Sequence, residues 1–166
     1  IIDADISGFF DSIDHSLLRD VLRQRVKDGS ILRLIGKWLK AGVIEDGDLT
    51  YPAAGSPQGG VISPVLSNIF LHHVLDEWFV RDVQPRMQGR CFLIRFADDF
   101  VIGCEVEEDA RRIMAVLPKR FARFRLTLHP QKTRLIEFRK PARRATADYG
   151  NGTFDFLGVT QYWAKS

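Results

Sequence analysis

The 166-residue chain has no apolar run approaching the ~20 residues needed to cross a bilayer, only two cysteines, and no low-complexity tract. The first absence leaves no membrane-spanning helix to expect. The opening residues also lack the basic-then-apolar layout of a secretory signal, so a cytoplasmic protein with no membrane partner is expected. Cys91 and Cys104 are too few for a disulfide framework and lack metal-ligand spacing. They are expected to be free thiols, acting as small apolar side chains in a reducing compartment. His72 and His73 are adjacent, so on a helix they fall on different faces, which suits a structural role better than a zinc site. What remains is 45% apolar and 27% charged, the balance of an ordinary globular protein. That length suits a single domain around one core.

Acidic residues are also scarce in one place. Net charge is only +3, yet residues 111–144 hold twelve Lys and Arg against a single acid, Glu137. Such a stretch can supply phosphate contacts, although Arg111, Arg112 and Lys119 fit a solvated helix face equally well. The chain begins on Ile1-Ile2-Asp3-Ala4-Asp5-Ile6, which reads as strand without a lead-in. A fragment of a larger protein is therefore expected.

Residues 1–7 read as a strand, followed by a connection over 9–14. Asp14 is a suitable N-cap for a helix whose Leu17, Leu18, Val21, Leu22 and Val26 recur at helical spacing. A second helix from Ser30 would turn Leu32, Ile35, Trp38 and Leu39 inward. Glu45-Asp46-Gly47-Asp48 predicts a hairpin turn, and residues 55–60 a loop. Ser63-Pro64 reads as N-cap and first helical residue of a long apolar helix reaching about Asp82.

Residues 91–96 and 100–104 predict a hairpin turning on Ala97-Asp98-Asp99. With Ala97 and Asp98 as the two turn residues, Cys91 falls opposite Cys104. Residues 107–125 are amphipathic, with Ile113, Val116, Leu117, Phe121 and Phe124 inward and a kink expected at Pro118. Residues 132–138 and 153–162 read as strands flanking a loop. The resulting class is α+β with a largely antiparallel sheet.

Asp98 and Asp99 are adjacent anions at a tight turn and repel unless positive charge lies beside them; a divalent cation is one compensation. Asp5, at the end of another apolar strand, is a third hard oxygen ligand. Phosphoryl transfer with two ions about 4 Å apart uses such a cluster. The plain alternative is that Asp98 and Asp99 form a turn, and that Asp3, Asp5, Asp11 and Asp14 are caps and solvated acids.

Four blocks then occur in order: residues 5–15 (Asp5-Ile6-Ser7-Gly8-Phe9-Phe10-Asp11 onward), 56–64 (Ser56-Pro57-Gln58-Gly59-Gly60 onward), Phe96-Ala97-Asp98-Asp99 and Phe156-Leu157-Gly158. Together they resemble the palm motifs of reverse transcriptases, most closely the bacterial group II intron and retron-like branch. The resemblance spans nearly the whole chain and implies a palm domain over residues 1–166, lacking most of the fingers and the thumb. It further implies that Asp5 and Asp98 bind two Mg²⁺ ions, with Mn²⁺ a substitute, that Asp99 is a lesser ligand, and that the Ile6 carbonyl completes the nucleotide-side site.

The same resemblance makes Phe10 the gate under the incoming sugar, Gln58 and Gly59 the contact to nucleotide and template, and Lys132 a proton donor to pyrophosphate. Phe156, Leu157 and Gly158 would be the primer grip. Partners would be an RNA template, a DNA or RNA primer and a dNTP. The family's Tyr before Ala-Asp-Asp is Phe96 here, which keeps the ring and loses the hydroxyl. The expected activity is RNA-directed DNA polymerisation, absent from the isolated fragment. Alternatives are a maturase holding structured intron RNA, and another nucleotidyl-transfer palm such as a cyclase.

Overall fold

The computed structural model describes residues 1–40, 43–45, 48–50, 62–139 and 152–163. Strand β1 (Ile2–Ala4) leads through a short helical turn α1 (Phe9–Ser12) to helices α2 (His15–Arg25) and α3 (Gly29–Lys40). The small hairpin β2 (Val43–Glu45) and β3 (Asp48–Thr50) follows, then a long helix that starts as α4 (Ser63–Leu71). Next come β4 (Cys91–Phe96), β5 (Asp99–Cys104), α5 (Glu107–Ala122), the two-residue β6 (Arg134–Leu135), and a second hairpin of β7 (Phe154–Phe156) and β8 (Val159–Gln161). The central sheet is antiparallel throughout, in the order β4-β5-β1-β6.

Period-two alternation gives β1 two unlike faces. Ile2 and Ala4 are buried and pair with Ile102 and Phe100, whereas Asp3 points to the opposite face. The helices cover the first face. Phe121 of α5 stacks on Phe100 with centroids 5.9 Å apart, and Ile113, Leu117, Leu66 and Phe70 complete one continuous core. Each such side chain contributes about 1.5–3 kcal/mol of burial. On the other face a smaller cluster of Val101, Ile136 and Phe154 draws the β7–β8 hairpin against the sheet.

Local chemistry sets the ends of the elements. Asp14 caps α2 as expected, its Oδ1 accepting from the N–H groups of Ser16 at 2.9 Å and Leu17 at 3.0 Å. These bonds, the Ser16 hydroxyl first, hold its carboxyl below the usual carboxylate range. Ser63 does not cap the long helix. Ile62 occupies that position with helical backbone, and Ser63 is the buried first residue of the helix.

The long helix also outruns the expected end near Asp82, continuing to Arg86 through two wide i→i+5 turns, His72–Asp76 and Phe79–Val83. Wide turns displace carbonyls from the ordinary ladder. Arg120 of α5 meets two of them, donating to Val74 O at 2.8 Å and His73 O at 3.0 Å while its guanidinium lies over the Phe124 ring.

Other expectations are corrected. The 9–14 connection contains the α1 turn. Trp38 is 43% exposed, because only the Leu32, Ile35 and Leu39 stripe of α3 joins the core. Val116 is 40% exposed, one step off the Ile113, Leu117, Phe121 stripe. The strand expected over 132–138 is only β6, because residues 129–133 form a turn in which His129 O accepts from Lys132 and Thr133. The 153–162 strand is the β7–β8 hairpin, turning on Leu157 and Gly158. The 91–104 hairpin has the expected register, Phe96 opposite Asp99 and Cys91 opposite Cys104. Both thiols are free. Burial pushes Cys91 up and, with its neighbour Cys91, pushes Cys104 up to about 12, so neither is a ready nucleophile.

Candidate active site

The register of β1 places the three acids. Because Ala4 pairs with Phe100, one further step brings Asp5 beside Asp99, the first residue of β5. On its other side β1 pairs Asp3 with Arg134, which brings the 129–133 turn and Lys132 alongside Asp5. Lys132 Nζ lies 3.1 Å from Asp5 Oδ2, and Arg134 Nη2 lies 3.1 Å from Asp3 Oδ2.

Asp98 stands at the hairpin turn between β4 and β5. Its carboxyl is held above the usual range, chiefly by burial and then by the charges of Asp99 and Asp5, with the Asp98 backbone N–H and Lys132 opposing. Carboxylates arranged in this way repel one another and favour either a proton or a cation between them. Ala97, the other turn residue, has φ +53°, a left-handed conformation that costs a non-glycine residue about 1–2 kcal/mol.

Ile6 forms an isolated bridge with Leu128, but the bonds of that bridge are Ser7 N–H to Thr127 O at 2.8 Å and His129 N–H to Asp5 O at 2.8 Å. This antiparallel pairing turns the Ile6 carbonyl away from Leu128, toward the strand edge that carries Asp99.

A cavity of about 410 Å³ is lined by Asp3, Asp5, Asp99, Lys132 and Arg134, and by Asp155 to Gly158 of the β7–β8 hairpin. Leu157 at φ +55° and Gly158 at φ +74° make a turn with two left-handed residues, the type I′ geometry. Phe156 packs on the smaller cluster while Leu157 stays exposed, so the turn presents Leu157 to the cavity mouth.

The structure thus gathers Asp5, Asp98, Asp99, Lys132 and the 156–158 turn. Phe10 lies apart from this cavity lining, half-buried against the main core with its ring 5.4 Å from that of Phe9. Gln58 and Gly59 fall outside the described residues. Asp3 and Arg134, which line the same cavity, were missed by sequence reasoning, although Asp3 lies two residues from Asp5 along one strand direction and so shares its face.

As a donor set the three acids suit a hard divalent cation. Among the described residues, however, no three His, Cys, Asp or Glu side chains converge tightly enough to hold an ion by themselves. The ammonium of Lys132 supplies the positive charge beside Asp5 instead. An ion here would need further ligands from outside the described residues.

The family model described as reverse transcriptase (RNA-dependent DNA polymerase) matches residues 1–161. The chain belongs to the reverse transcriptase family. It is similar to the group II intron-encoded protein LtrA of Lactococcus lactis subsp. cremoris, at 42% identity over 73 residues, covering 44% of this chain and 12% of that protein. It is 44% identical over 142 residues to protein YkfC of Escherichia coli strain K12, covering 68% of this chain and 37% of YkfC. Among solved structures, apo telomerase from Candida tropicalis truncated from its C-terminal domain superposes with a TM-score of 0.72 at 13% identity, covering 96% of this chain and 33% of that one.

The chain therefore spans a minor part of these relatives, and its fold is the α+β polymerase palm of a reverse transcriptase. Members of the family are nucleotidyltransferases that work on nucleic acids. Among the described residues no helix is long and apolar enough to cross a membrane.

Proposed function

We propose that this chain is the catalytic palm of an RNA-directed DNA polymerase that adds dNTPs to a primer 3′ end on an RNA template. The observation that carries this is the meeting of Asp5, Asp98, Asp99 and Lys132 at the ends of neighbouring strands, beside the turn of Leu157 and Gly158. Asp5 and Asp98 would hold two Mg²⁺ or Mn²⁺ ions, with Asp99 and the Ile6 carbonyl as further oxygen donors. When bound, such ions make the primer 3′-hydroxyl a better nucleophile and neutralise the triphosphate.

The chain's own groups do the rest. Lys132, whose ammonium lies 3.1 Å from Asp5 Oδ2, would give a proton to departing pyrophosphate. The hairpin turn at Leu157 and Gly158 would hold the primer end toward the acids. A primer-extension assay on an RNA template, using the full-length protein and its Asp98→Ala, Asp99→Ala variant, tests the reading. The variant is expected to fall to background. Equal extension by both would refute it.

A second reading, that the protein also holds structured intron RNA to aid splicing, is favoured by a separate cleft. Between the long helix and α5, on the helical side of the sheet, a cavity of about 410 Å³ is lined by Arg86, Arg112, Lys119, Arg120 and Arg123 against one acid, Asp82. Reversing Arg86, Lys119 and Arg123 together to Glu is expected to weaken binding of group II intron RNA. The slope of log K against log salt should flatten by about 0.7–0.9 per lost contact. Extension of a short, saturating primer-template should persist. An unchanged slope would remove this reading and leave the polymerase reading standing.

A further inference from the structure

Arg95 is the one charged residue within the apolar strand β4, on the same face as Cys91 and Leu93, and its side chain is only 12% exposed. Its guanidinium makes four bonds in three directions. Nε and Nη2 grip the carboxylate of Asp76 at 2.8 and 2.7 Å, and Nη1 donates to Asn68 Oδ1 at 2.9 Å and to the backbone carbonyl of Ala97 at 2.7 Å. Asn68 in turn donates to Pro64 O at 3.0 Å, in the first turn of the long helix. Burial alone would push Asp76 up, but the Arg95 fork and His72 more than offset it, and its carboxyl is held below the usual range. It is a fixed anionic anchor.

The last of these bonds reaches the turn that carries the catalytic acids. Two-residue hairpin turns come in two forms, I′ and II′, which differ by a flip of the central peptide. In I′ both central residues have positive φ, as Leu157 and Gly158 do. Here Ala97 has φ +53° and Asp98 does not share a positive φ, the combination of II′. The carbonyl of that central peptide is Ala97 O, the atom Arg95 holds. A flipped peptide would break this bond and swing the Asp98 backbone, redirecting its side chain.

We propose that Arg95 is a positioning residue that selects the orientation of the Ala97–Asp98 peptide, and so aims Asp98, by clamping the Ala97 carbonyl to the long helix through Asp76 and Asn68. This rests on reading Asp98 and Asp99 as the catalytic acids. Only a planar fork can satisfy Asp76 and the carbonyl together; a lysine ammonium can keep the charge beside Asp76 without that geometry.

The test uses the full-length protein as Arg95→Lys and Arg95→Met, with Asp98→Ala, Asp99→Ala alongside, and measures single-nucleotide incorporation, thermal stability and Mn²⁺ binding by water-proton relaxation. Arg95→Lys is expected to keep its melting temperature and its KM for primer-template. Its kcat should fall about 10²-fold, the scale of a misplacement near 1 Å, and its Mn²⁺ affinity should weaken. A purely structural role would instead lower stability and leave kcat per folded molecule and Mn²⁺ affinity unchanged, which overturns the proposal. Should Arg95→Met fail to fold, Arg95→Lys decides alone. If the double Asp variant extends primers normally, the reading of the acids fails instead; if it is inactive while Arg95→Lys works at the parental rate, only the role of Arg95 falls.

Discussion

Asp98→Asn is expected to make the metal-free protein more resistant to heat while lowering primer extension about 10³-fold or more. Both effects have one origin. Burial, then the charges of Asp99 and Asp5, raise the Asp98 carboxyl above its ordinary value. The folded state therefore binds that proton more tightly than the unfolded chain does. Between the ordinary carboxylate range and the raised folded value, folding stability falls as pH rises. The full penalty is present above the raised value and absent below the ordinary range.

Asparagine keeps the shape and removes the charge. Its stabilisation should appear as a higher melting temperature at neutral pH and should vanish below the ordinary carboxylate range. Added Mg²⁺ should raise the melting temperature of the parent and not of the variant, closing the gap. Melting curves at both pH values, with and without Mg²⁺, check this beside the extension assay. A variant less stable than its parent at neutral pH without metal would mean that Asp98 serves the fold and not the chemistry.

What made this prediction possible was only partly legible in the sequence. Alternation in Ile2-Asp3-Ala4-Asp5 separates a buried face from an acidic one, and the Ala97-Asp98 turn fixes the whole register back to Cys91 and Cys104. Those are local facts. That Asp5 sits beside Asp99 depends on which strands pair, across more than ninety residues of chain, and no local pattern carries that. Only the ordered motifs of the family supplied it.

Trp38 and Val116 are apolar residues on helices with wide apolar arcs, and periodicity defines the arc without saying which part a neighbour covers. The strand expected over 132–138 failed because the His129–Thr133 turn lets the chain join the sheet only at Arg134. Arg95 was visible all along as a charge in a core-facing register, a conflict that often marks a functional position.

Asp109 is the other such conflict, and its removal should cause the largest loss of stability of any single change considered. In sequence Glu107-Glu108-Asp109 is an ordinary acidic first turn of a helix, where each acid is worth a few tenths of a kcal/mol to about 1 kcal/mol through the helix dipole. In the structure Asp109 is 0% exposed. Its Oδ2 accepts from the backbone N–H groups of Gln88 at 2.9 Å and Gly89 at 2.8 Å, closing the tight link between the long helix and β4. Arg112 Nη1, 3.9 Å from Oδ1, partly balances the charge.

That link has little slack, since a Cβ on Gly89 would lie 2.8 Å from Val106 Cγ2. Asp109→Ala removes two charge-assisted bonds and leaves two donors without their acceptor, a loss of about 3 kcal/mol. Glu107→Ala, which removes an exposed pair with Arg111 and one first-turn acid of the helix dipole, should cost about 1 kcal/mol or less. Chemical denaturation of both variants measures the difference, and amide exchange should accelerate at Gln88 and Gly89 in the first alone. Because β4 starts at this link and ends at the Ala97 turn, the Asp109 variant should also lose extension at a lower temperature while keeping parental kcat in the cold. Equal costs for the two variants would mean that Asp109 acts as a surface acid of the helix dipole and the link is held by other contacts.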